Sequence, residues 1–447
     1  MGAHVSAPSE EEATRLRNGL QDACAAAARS ITEAEVFIFL NGAGWSADSG
    51  LAVYADVAKV PVYSKRGLTY QDICQPHWLF KEPQLFWGFW GQCYNDYRLT
   101  DPHEGYEMVH HWVGKLFRHT KVAKELQQRC REKARDQDEV GPYEVKGRAG
   151  AFHVFTSNVD AHHYDWFPAC EIRECHGNTE IYQCAGSRSM GGLRDMDERC
   201  PGIWRAPLEY RFHVDKETML APKEAPEEAF EVETNHWAPP QGDEDPMSTV
   251  PRVGRVTGSA RRHTLRFMRS GAVVAESPAS AAKRGFAANH PVCPECGGPA
   301  RPAILMFGDY SWRDNDAQED RWETWLDQVN DLATERTADF NPLRVALLEV
   351  GAGNNVTTVR SRSEHILRDL VEKGAEAKLL RVNPDFPLVG NRDLEPHTIS
   401  LMGRGLESLR LINAFMGTNS FGLTECPPPP PDMPPPPPDA PPPNPGA

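Results

Sequence analysis

The sequence has no excess of positive charge and no long apolar run. Its 447 residues include 48 Lys and Arg against 63 Asp and Glu, which gives a formal net charge of −15. Proteins that bind nucleic acid through phosphate contacts present a basic surface, so we expect no nucleic acid partner. No stretch of about 18 apolar residues is present, so we expect no transmembrane segment.

The N-terminus also lacks the apolar segment of a secretory signal, since it reads Met1-Gly-Ala-His-Val-Ser6. The number of cysteines is odd, at 11. These features predict an intracellular, soluble protein of the cytoplasm or the nucleus, with reduced thiols. The first six residues fit the loose pattern for N-myristoylation, but no basic cluster follows as a second anchor.

A pair of cysteines near residue 290 predicts a metal site. The segment Cys293-Pro-Glu-Cys296-Gly-Gly is a knuckle, in which two thiolates three positions apart can wrap one tetrahedral ion. A four-coordinate site needs a second pair, which must come from upstream. Cys184 and Cys200 lie in the required part of the chain. We therefore predict one site made of Cys184, Cys200, Cys293 and Cys296.

Short apolar strands alternate with helical patterns over most of the chain. Helical spacing is found at 9–31, 318–333 and 361–373. The apolar runs, which are too short for amphipathic helices, are Val36–Leu40, Phe152–Phe155, Cys170–Glu174, Ala303–Phe307, Val345–Leu348 and Lys378–Val382. This alternation predicts an α/β fold with a Rossmann-like parallel sheet and helices on both faces.

Breaks in this pattern suggest how the chain is divided. An N-terminal helix and arm (1–30) would precede a Rossmann-like domain formed by residues 31–180 and 300–415. Within that domain, the aromatic-rich segment 68–117 has helical spacing and is interpreted as a small helical module.

A zinc-binding module is predicted at 181–299, with a long irregular insertion at 201–289. We expect the insertion to be partly hairpin and partly disordered, and its basic stretch 252–269 to be a solvated strand face. Residues 427–447 are almost entirely proline and predict a disordered polyproline tail that contributes nothing to folding. The tail is either a ligand for a proline-binding domain or a stiff solubilising segment.

Two glycine-containing turns follow predicted strands. The first is Asn41-Gly-Ala-Gly-Trp-Ser-Ala-Asp-Ser-Gly50, and the second is Gly351-Ala-Gly-Asn-Asn355. The amides of such a loop, at the start of a helix, can point at a phosphate, although a plain strand–helix turn is the alternative. Asn383 ends a further strand with an amide that can reach a ribose.

Polar side chains also follow two other predicted strands. Thr156-Ser-Asn-Val-Asp160 ends one strand, and Glu174-Cys-His-Gly177 ends the next. Polar groups at the carboxyl ends of parallel strands face the ligand crevice. His176 can act there as a general base near neutral pH. The alternative is a hydrogen-bonded structural histidine, and the Asn158/Asp160 pair on the neighbouring strand end favours the catalytic role.

Taken together, these motifs resemble the sirtuin family over roughly residues 30–415. The first glycine turn is similar to the family's G-A-G-x-S-x-x-S-G loop. Its T-Q-N-I-D is similar to the T-S-N-V-D at 156–160, and its catalytic H-G to the pair at 176–177. The C-x-x-C-G-G-x-x-R-P-x-x-x-x-F-G-D stretch from Cys293 resembles the second zinc pair and the substrate strand. The insertion and the tail lie outside the resemblance.

This resemblance implies an NAD-dependent protein-lysine deacylase that moves the acyl group from lysine to ADP-ribose and releases nicotinamide. A structural Zn²⁺ would be held by the four cysteines. His176 would be the general base, and Asn158 and Asp160 would act beside it on the nicotinamide ribose and carboxamide. An acyl-lysine protein or peptide would contact Phe307 and Gly308. The implied NAD-binding residues are Gly42, Ala43, Gly44, Ser46, Ser49, Gly50, Tyr54, Ser157, Asn158, Asp160, Gly351, Ala352, Gly353 and Asn383.

The chain departs from the family pattern at three places. Ala52-Val-Tyr-Ala55 stands where the family has P-x-F-R, so Ala55 replaces an arginine. Ser157 replaces a glutamine that contacts a ribose. The first zinc pair is stretched, because Ser187 occupies the position of the near cysteine.

Two other functions are therefore considered. One is an NAD hydrolase or ADP-ribosyltransferase on the same scaffold, which is favoured if the altered first loop admits water. The other is a non-catalytic NAD-binding adaptor that recruits partners through its proline tail. The presence of Asn158, Asp160 and His176 speaks against the adaptor.

Overall fold

The computed structural model describes residues 7–52, 60–133, 147–186, 200–207, 210–224 and 285–417. Its strands are β1 (Val36–Asn41), β2 (Phe152–Thr156), β3 (Ile172–Glu174), β4 (Gly177–Cys184), β5 (Ile203–Arg205), β6 (Ala300–Ile304), β7 (Arg344–Val350), β8 (Glu376–Val382) and β9 (Thr398–Leu401). Its α-helices are α1 (Glu10–Asn18), α2 (Leu20–Glu33), α3 (Ala43–Ala47), α4 (Pro61–Lys65), α5 (Tyr70–Ile73), α6 (Trp78–Lys81), α7 (Pro83–Leu99), α8 (Glu104–Trp112), α9 (Lys121–Lys133), α10 (Asp316–Ala338), α11 (Thr358–Glu372) and α12 (Gly405–Phe415).

Six strands form one parallel sheet in the order β3-β2-β1-β7-β8-β9. Every residue of the central strand β1 is buried, as expected for a parallel strand covered on both faces. The chain runs outward from β1 through β2 to β3 and later returns to β7 on the other side of β1. The carboxyl ends of β1 and β7 therefore form the topological switch point, where open α/β sheets bind ligands.

Helices cover both faces of this sheet. Helices α10 and α11 pack on one face, and α2, α8 and α12 pack together on the other. Aromatic side chains fill both layers: Phe37 of β1 stacks on Phe117 at 5.3 Å, and His153 of β2 lies 4.8 Å from Trp322 of α10. The predicted Rossmann-like α/β fold is confirmed.

The N-terminal helix differs from its prediction. One helix was expected over 9–31, but the structure has two, α1 and α2, which are separated at Gly19. The hydroxyl of Ser9 accepts a hydrogen bond from the Glu12 amide at 3.3 Å, as expected for an N-cap. Glycine is a poor helix former, and here it ends one helix and begins the next.

A second, smaller sheet has the antiparallel order β5-β4-β6. The strand predicted at Ala303–Phe307 as part of the parallel sheet overlaps β6 only at Ala303 and Ile304, and β6 belongs to this antiparallel sheet, so the prediction was wrong in both its bounds and its sheet. A continuous apolar run indicates burial on both faces but not the direction of pairing. β6 is buried because it packs against aromatic helices rather than inside the large sheet.

The aromatic-rich segment 68–117 is helical, and its side chains are divided between two cores. Helices α5–α7 pack on the small sheet, where Trp87 stacks on Tyr182 at 6.1 Å. Helix α8 and the π-helical turn Val113–Phe117 pack on the parallel sheet. The segment therefore joins the two sheets.

The described part of the insertion forms a strap, residues 210–224, that lies across α7. The Asn95 side chain donates to the Phe212 carbonyl at 2.8 Å and accepts from the Phe212 amide at 3.0 Å. A Cβ on Gly88 would lie only 2.0 Å from the Met219 carbonyl oxygen, so glycine allows the strap to approach the helix. Asp215 and Leu220 pair in antiparallel fashion, in agreement with a partial hairpin.

Several predictions fall outside the described residues. They concern the myristoylation pattern at 1–6, Tyr54, the basic stretch 252–269 and the polyproline tail 427–447. Among the helices that are described, none has both the length and the apolar character needed to cross a membrane.

Candidate functional site

The two glycine turns meet at the switch point of the parallel sheet. The Gly42 amide donates to the Val350 carbonyl at 3.1 Å, and the Gly44 amide donates to the Gly351 carbonyl at 3.0 Å. A Cβ on Gly44 would lie 2.7 Å from the Gly351 Cα, and Gly351 has a φ of 65°. Glycine is required at both positions because the two backbones touch.

Asn41, at the end of β1, connects the neighbouring strand end to this loop. Its side-chain oxygen accepts from the Thr156 hydroxyl at 2.7 Å, from His163 at 3.0 Å and from the Asn158 amide group at 3.3 Å. Its own side-chain nitrogen is buried without a partner among the described residues. A buried amide donor at a strand end is available to a ligand.

Asp160 is a buried charged group two residues beyond Asn158. One carboxylate oxygen accepts from the Ser46 hydroxyl and the other from the His162 amide at 2.9 Å. Burial alone would raise the pKa of Asp160, but His162 and the Ser46 hydroxyl outweigh burial and hold the pKa below its usual value. Asp160 therefore stays ionised and fixes the first glycine turn against the end of β2.

His103 supports the same turn from the start of α8. Its ring bonds the Trp45 carbonyl at 3.0 Å, and its amide donates to the Ser49 hydroxyl at 3.0 Å. Burial lowers the pKa of His103 to about 4, so the ring is neutral. Ser49, which the sequence analysis assigned to cofactor binding, thus accepts a hydrogen bond from the protein itself. The role of His103 was not predicted, since the only signal was its place before a helix.

His176 follows β3, beside the cluster, and is half-buried. Burial lowers its pKa to about 4, although a hydrogen bond to the Ser157 backbone partly opposes the shift. The imidazole is therefore neutral at pH 7, as a general base must be. Gly177 has a φ of 70°, and a Cβ there would lie 1.9 Å from the Ala303 carbonyl oxygen.

Glu174 is a buried carboxyl group that the sequence analysis did not assign. One of its oxygens accepts from Tyr164 at 3.0 Å and from Asn178 at 2.6 Å, and the other has no partner among the described residues. Burial raises the pKa of Glu174 to about 8, so the group is mostly protonated at pH 7. Its position at the end of β3, two residues before His176, was the available signal.

The remaining predicted cofactor residues lie around the two turns. Ala43 begins α3, and Gly50 has a φ of 86°. Gly353 has open space where a side chain would be. The Asn383 side chain donates to the Ala352 carbonyl at 2.9 Å and accepts from two backbone amides, so it braces the second turn.

The predicted substrate segment is held by a buried ion pair. The Arg301 guanidinium bonds Asp309 and also donates to the Ile304 carbonyl at 2.7 Å. Arg301 lowers the pKa of Asp309 against the effect of burial. Within the segment, the Phe307 amide donates to the Cys74 carbonyl at 3.0 Å, and Gly308 is exposed with a φ of 64°.

The four predicted metal ligands come together. The sulfur atoms of Cys184, Cys200, Cys293 and Cys296 all lie within 4.8 Å of one another. Two of the separations are 3.5 Å (Cys184 to Cys296) and 3.6 Å (Cys200 to Cys293). Zn–S bonds of about 2.3 Å in a tetrahedron place sulfurs roughly 3.8 Å apart. The cluster thus fits a structural zinc ion with no open coordination position.

Comparisons with known proteins give structural but not sequence relatives. No family model and no curated protein matches the chain. A Sir2 homologue in complex with NAD is 14% identical, with 88% of this chain and 94% of that chain covered at a TM-score of 0.44. A mutant Sir2 homologue with ADP-ribose is 14% identical, with 89% of this chain and 98% of that chain covered at a TM-score of 0.43. Sir2Tm bound to a propionylated peptide is 14% identical, with 87% of this chain and 96% of that chain covered at a TM-score of 0.41. These three solved structures, to which this chain is similar, are thus Sir2 proteins, or sirtuins.

Proposed function

We propose that this protein is an NAD-dependent protein-lysine deacylase of the sirtuin type. One observation carries the proposal: two hydrogen-bonded groups, Ser46 with Asp160 and Asn41 with Asn158, form a cluster of buried polar side chains at or just after the carboxyl ends of β1 and β2. Neutral His176 lies at the end of the adjacent strand β3. A fixed carboxylate, a buried amide and a neutral base at the carboxyl ends of three neighbouring strands are suited to chemistry on a polar ligand.

NAD would suit the carboxyl ends of these strands for a physical reason. The glycine turns after β1 and β7 lie at the switch point, where dinucleotides bind in open α/β sheets. The buried side-chain nitrogen of Asn41, which has no partner in the part of the chain that the structure describes, can donate a hydrogen bond there. Bound NAD would supply a ribose carbon made reactive by nicotinamide as the leaving group.

The protein's residues would have separate tasks. Asn158 and Asp160 would orient the nicotinamide ribose and carboxamide, and His176 would take a proton from a ribose hydroxyl. Phe307 and Gly308 would contact the acyl-lysine protein or peptide, on a segment that is fixed by the Arg301–Asp309 pair. The crevice must exclude water, because water would compete with the acyl-lysine for the reactive sugar.

An NAD hydrolase or ADP-ribosyltransferase is the second candidate. It would use the same residues and is favoured by Ala55, which stands where the sirtuin pattern has an arginine. A non-catalytic adaptor is less well supported, because the buried and ionised Asp160 has an energetic cost that simple binding would not require.

The full chain should be incubated with NAD alone, with NAD and an acetyl-lysine peptide, and with NAD and the same peptide unmodified. A deacylase releases nicotinamide and acyl-ADP-ribose only with the acetylated peptide. Equal nicotinamide release in all three reactions identifies a hydrolase, and ADP-ribose attached to protein identifies a transferase. NAD binding without any nicotinamide release identifies an adaptor.

A further inference from the structure

We propose that Glu174 is a positioning residue for His176: its side chain closes the turn that carries His176, and its second oxygen binds a water molecule that Trp312 also contacts. The inference rests on the proposed deacylase function and adds a residue that acts through the general base. His176 lies where the chain passes from the parallel sheet to the small sheet. We call residues 174–178, from the end of β3 to the start of β4, the crossover turn.

A side-chain hydrogen bond joins the two ends of the crossover turn. The Asn178 side-chain nitrogen donates to one carboxyl oxygen of Glu174 at 2.6 Å, across His176 and the glycine that follows it. The side-chain oxygen of Asn178 accepts from the amides of Glu180 at 2.9 Å and Ile181 at 3.2 Å. Asn178 is therefore fixed on β4, and its bond to Glu174 sets the span of the turn.

Glu174 is itself held by a closed ring of hydrogen bonds. Its amide donates to the Gln318 side-chain oxygen at 2.7 Å, and the Gln318 side-chain nitrogen donates to the Tyr164 hydroxyl at 3.1 Å. That hydroxyl donates to the same Glu174 oxygen at 3.0 Å. The three side chains are buried, so the position of the carboxyl group is fixed relative to α10. The turn that carries His176 is thus anchored on a helix of the parallel-sheet layer.

A small cavity adjoins the second carboxyl oxygen of Glu174. This oxygen and the indole nitrogen of Trp312 are both buried and have no partner in the described part of the chain. Both residues line one cavity of about 30 Å³, whose other charged lining residues are Arg313 and Asp314, of opposite sign. A water molecule needs about 10–15 Å³ of such space and polar partners. The cavity therefore has the size and the two polar groups to hold one.

The hydrogen bonds indicate which oxygen of Glu174 carries a proton. One oxygen accepts from two donors, so the proton of the neutral acid lies on the other and points to the water. Burial is the largest cause that raises the pKa of Glu174 to about 8, and the charges of Asp160 and Glu180 act in the same direction. The bonds from Asn178 and Tyr164 act against this shift. At pH 7 the neutral acid can therefore accept from Asn178 and donate to water at once.

The ionisation of His176 reports whether the crossover turn is closed. Burial is the largest cause that lowers its pKa to about 4, and the backbone bond to Ser157 opposes burial. The charges of Arg173 and Asp314, which are paired at 2.6 Å, act on the ring in opposite directions. A turn that opens would expose the imidazole to water, and its pKa would rise toward the ordinary value of about 6.5.

The first test follows His176 by NMR in the full chain labelled with ¹⁵N-histidine, with its signal assigned by its loss in His176→Asn. In the parent, His176 should stay neutral down to about pH 5. Glu174→Ala leaves the Asn178 and Tyr164 donors without their acceptor, so His176 should titrate between about pH 5 and 6.5. Glu174→Gln keeps an acceptor for these donors and a donor for the water, so it should behave as the parent does.

Glu171→Ala is the matched control, because Glu171 is also buried and precedes β3, where it pairs with Arg118. It should lower the melting temperature but leave His176 neutral above about pH 5. If Glu174→Ala lowers the melting temperature while His176 stays neutral, Glu174 is only structural and the assignment is wrong. An equal shift in Glu174→Gln and Glu174→Ala also overturns it. If Glu174→Ala does not fold, Glu174→Leu, which keeps most of the volume, replaces it.

Turnover of an acetyl-lysine peptide separates positioning from proton transfer. Glu174→Ala should lower kcat by about tenfold or more and leave KM for NAD within about twofold, because it displaces the base but not the glycine turns. Glu174→Gln should keep the parent kcat at pH 7. A large loss in Glu174→Gln with His176 still neutral would make Glu174 an acid–base group and overturn the assignment. If no acyl peptide is turned over, the deacylase proposal is wrong, and the NMR result alone decides whether Glu174 positions His176.

A crystal structure of the full chain tests the water molecule. We expect one ordered water within hydrogen-bonding distance of both the Glu174 carboxyl group and the Trp312 indole nitrogen, and the same water in Glu174→Gln. A map that shows other buried waters but no density at this position would overturn the water assignment.

Discussion

At the scale of single residues, the neutral imidazole of His176 is the main determinant of the proposed chemistry. Replacing His176 with Ala should leave NAD binding nearly unchanged, since the glycine turns and Asn383 lie on other strands. Deacylation should fall by about a hundredfold or more, the usual effect of losing an acid–base group. Calorimetry with NAD and peptide turnover measure the two effects. An unchanged deacylation rate would exclude His176 as the base.

The pH dependence of turnover is a second test of His176. Its pKa is lowered to about 4, so the base form predominates above that pH and is lost only as the pH falls through it. We therefore expect the acid limb of kcat/KM to lie near pH 4–5 rather than near 6.5. The limb must be measured with circular dichroism at each pH, because buried His153 and His163 also have lowered pKa values. A limb at 6.5 in folded protein would contradict the assigned environment.

The pKa of Glu174 is shifted upward, opposite to that of His176, and this shift makes the stability of the fold depend on pH. Its pKa rises from an ordinary 4.5 to about 8, so the folded chain holds a proton that the unfolded chain loses between these values. The stabilising contribution is complete below about pH 4.5 and is lost as the pH rises to about 8. Glu174→Gln should therefore gain stability relative to the parent by about 1 kcal/mol or more between pH 5 and 8 in urea unfolding. Glu107→Gln, at an exposed helix position, should show no such trend.

At the scale of elements, the strap can lie across α7 only because Gly88 of that helix has no side chain. A Cβ at Gly88 would lie 2.0 Å from the Met219 carbonyl oxygen, whereas one at Gly114 would meet nothing within 4 Å. Gly88→Ala should destabilise the protein by roughly 1–3 kcal/mol through overpacking. Gly114→Ala, also in a helical segment, should be neutral or stabilising by up to about 1 kcal/mol. Thermal unfolding compares them, and equal effects would show that the strap does not press on α7.

The elements that the sequence predicts well are those whose pattern is local. The strands Val36–Leu40 and Val345–Leu348 have continuous apolar runs, and the glycine turns after them have a signature in a few residues. The pairing direction of Ala303–Phe307 depends on partners distant in the chain, so no local pattern could reveal it. The packing of the strap on α7 was not predicted for a similar reason, since it depends on Gly88 and Gly91, two glycines that in the sequence indicate only weak helix formation.

In the candidate site, too, the sequence predicts what depends on local motifs and not what depends on contacts between distant segments. Motif spacing correctly predicted the cluster of four cysteines, and it predicted that Asn158 and Asp160 follow the end of a strand, as they follow β2. It did not reveal Asn41 as the centre of the hydrogen bonds, or His103 as a support, because both act through contacts between separate loops. The lowered pKa of His176 could not be predicted either, since burial by tertiary packing cannot be read from a loop sequence.

At the scale of the whole molecule, the cysteine cluster connects all three strands of the small sheet. Cys184 ends β4, Cys200 precedes β5, and the Cys293/Cys296 knuckle precedes β6. Removing zinc with a chelator should unfold this sheet, since metal binding and folding are coupled in such modules.

The expected content is one zinc ion per chain, measured by mass spectrometry of the purified protein. Cys293→Ser should lose the ion and the near-ultraviolet circular dichroism of the aromatic residues packed on the small sheet. Cys130→Ala, a buried cysteine outside the cluster, should keep one zinc ion. Full zinc content in the Cys293→Ser protein would contradict a four-cysteine site.

The contact between Gly44 and Gly351 also has a consequence for synthesis on the ribosome. The first turn is translated early, but the backbone on which it rests belongs to the last third of the chain. Strand β1 likewise waits for β7 to complete its pairing. Because chains emerge N-terminus first at a limited rate, the crevice between the two turns can form only near the end of translation. A nascent chain therefore gains its proposed NAD site only at a late stage of synthesis.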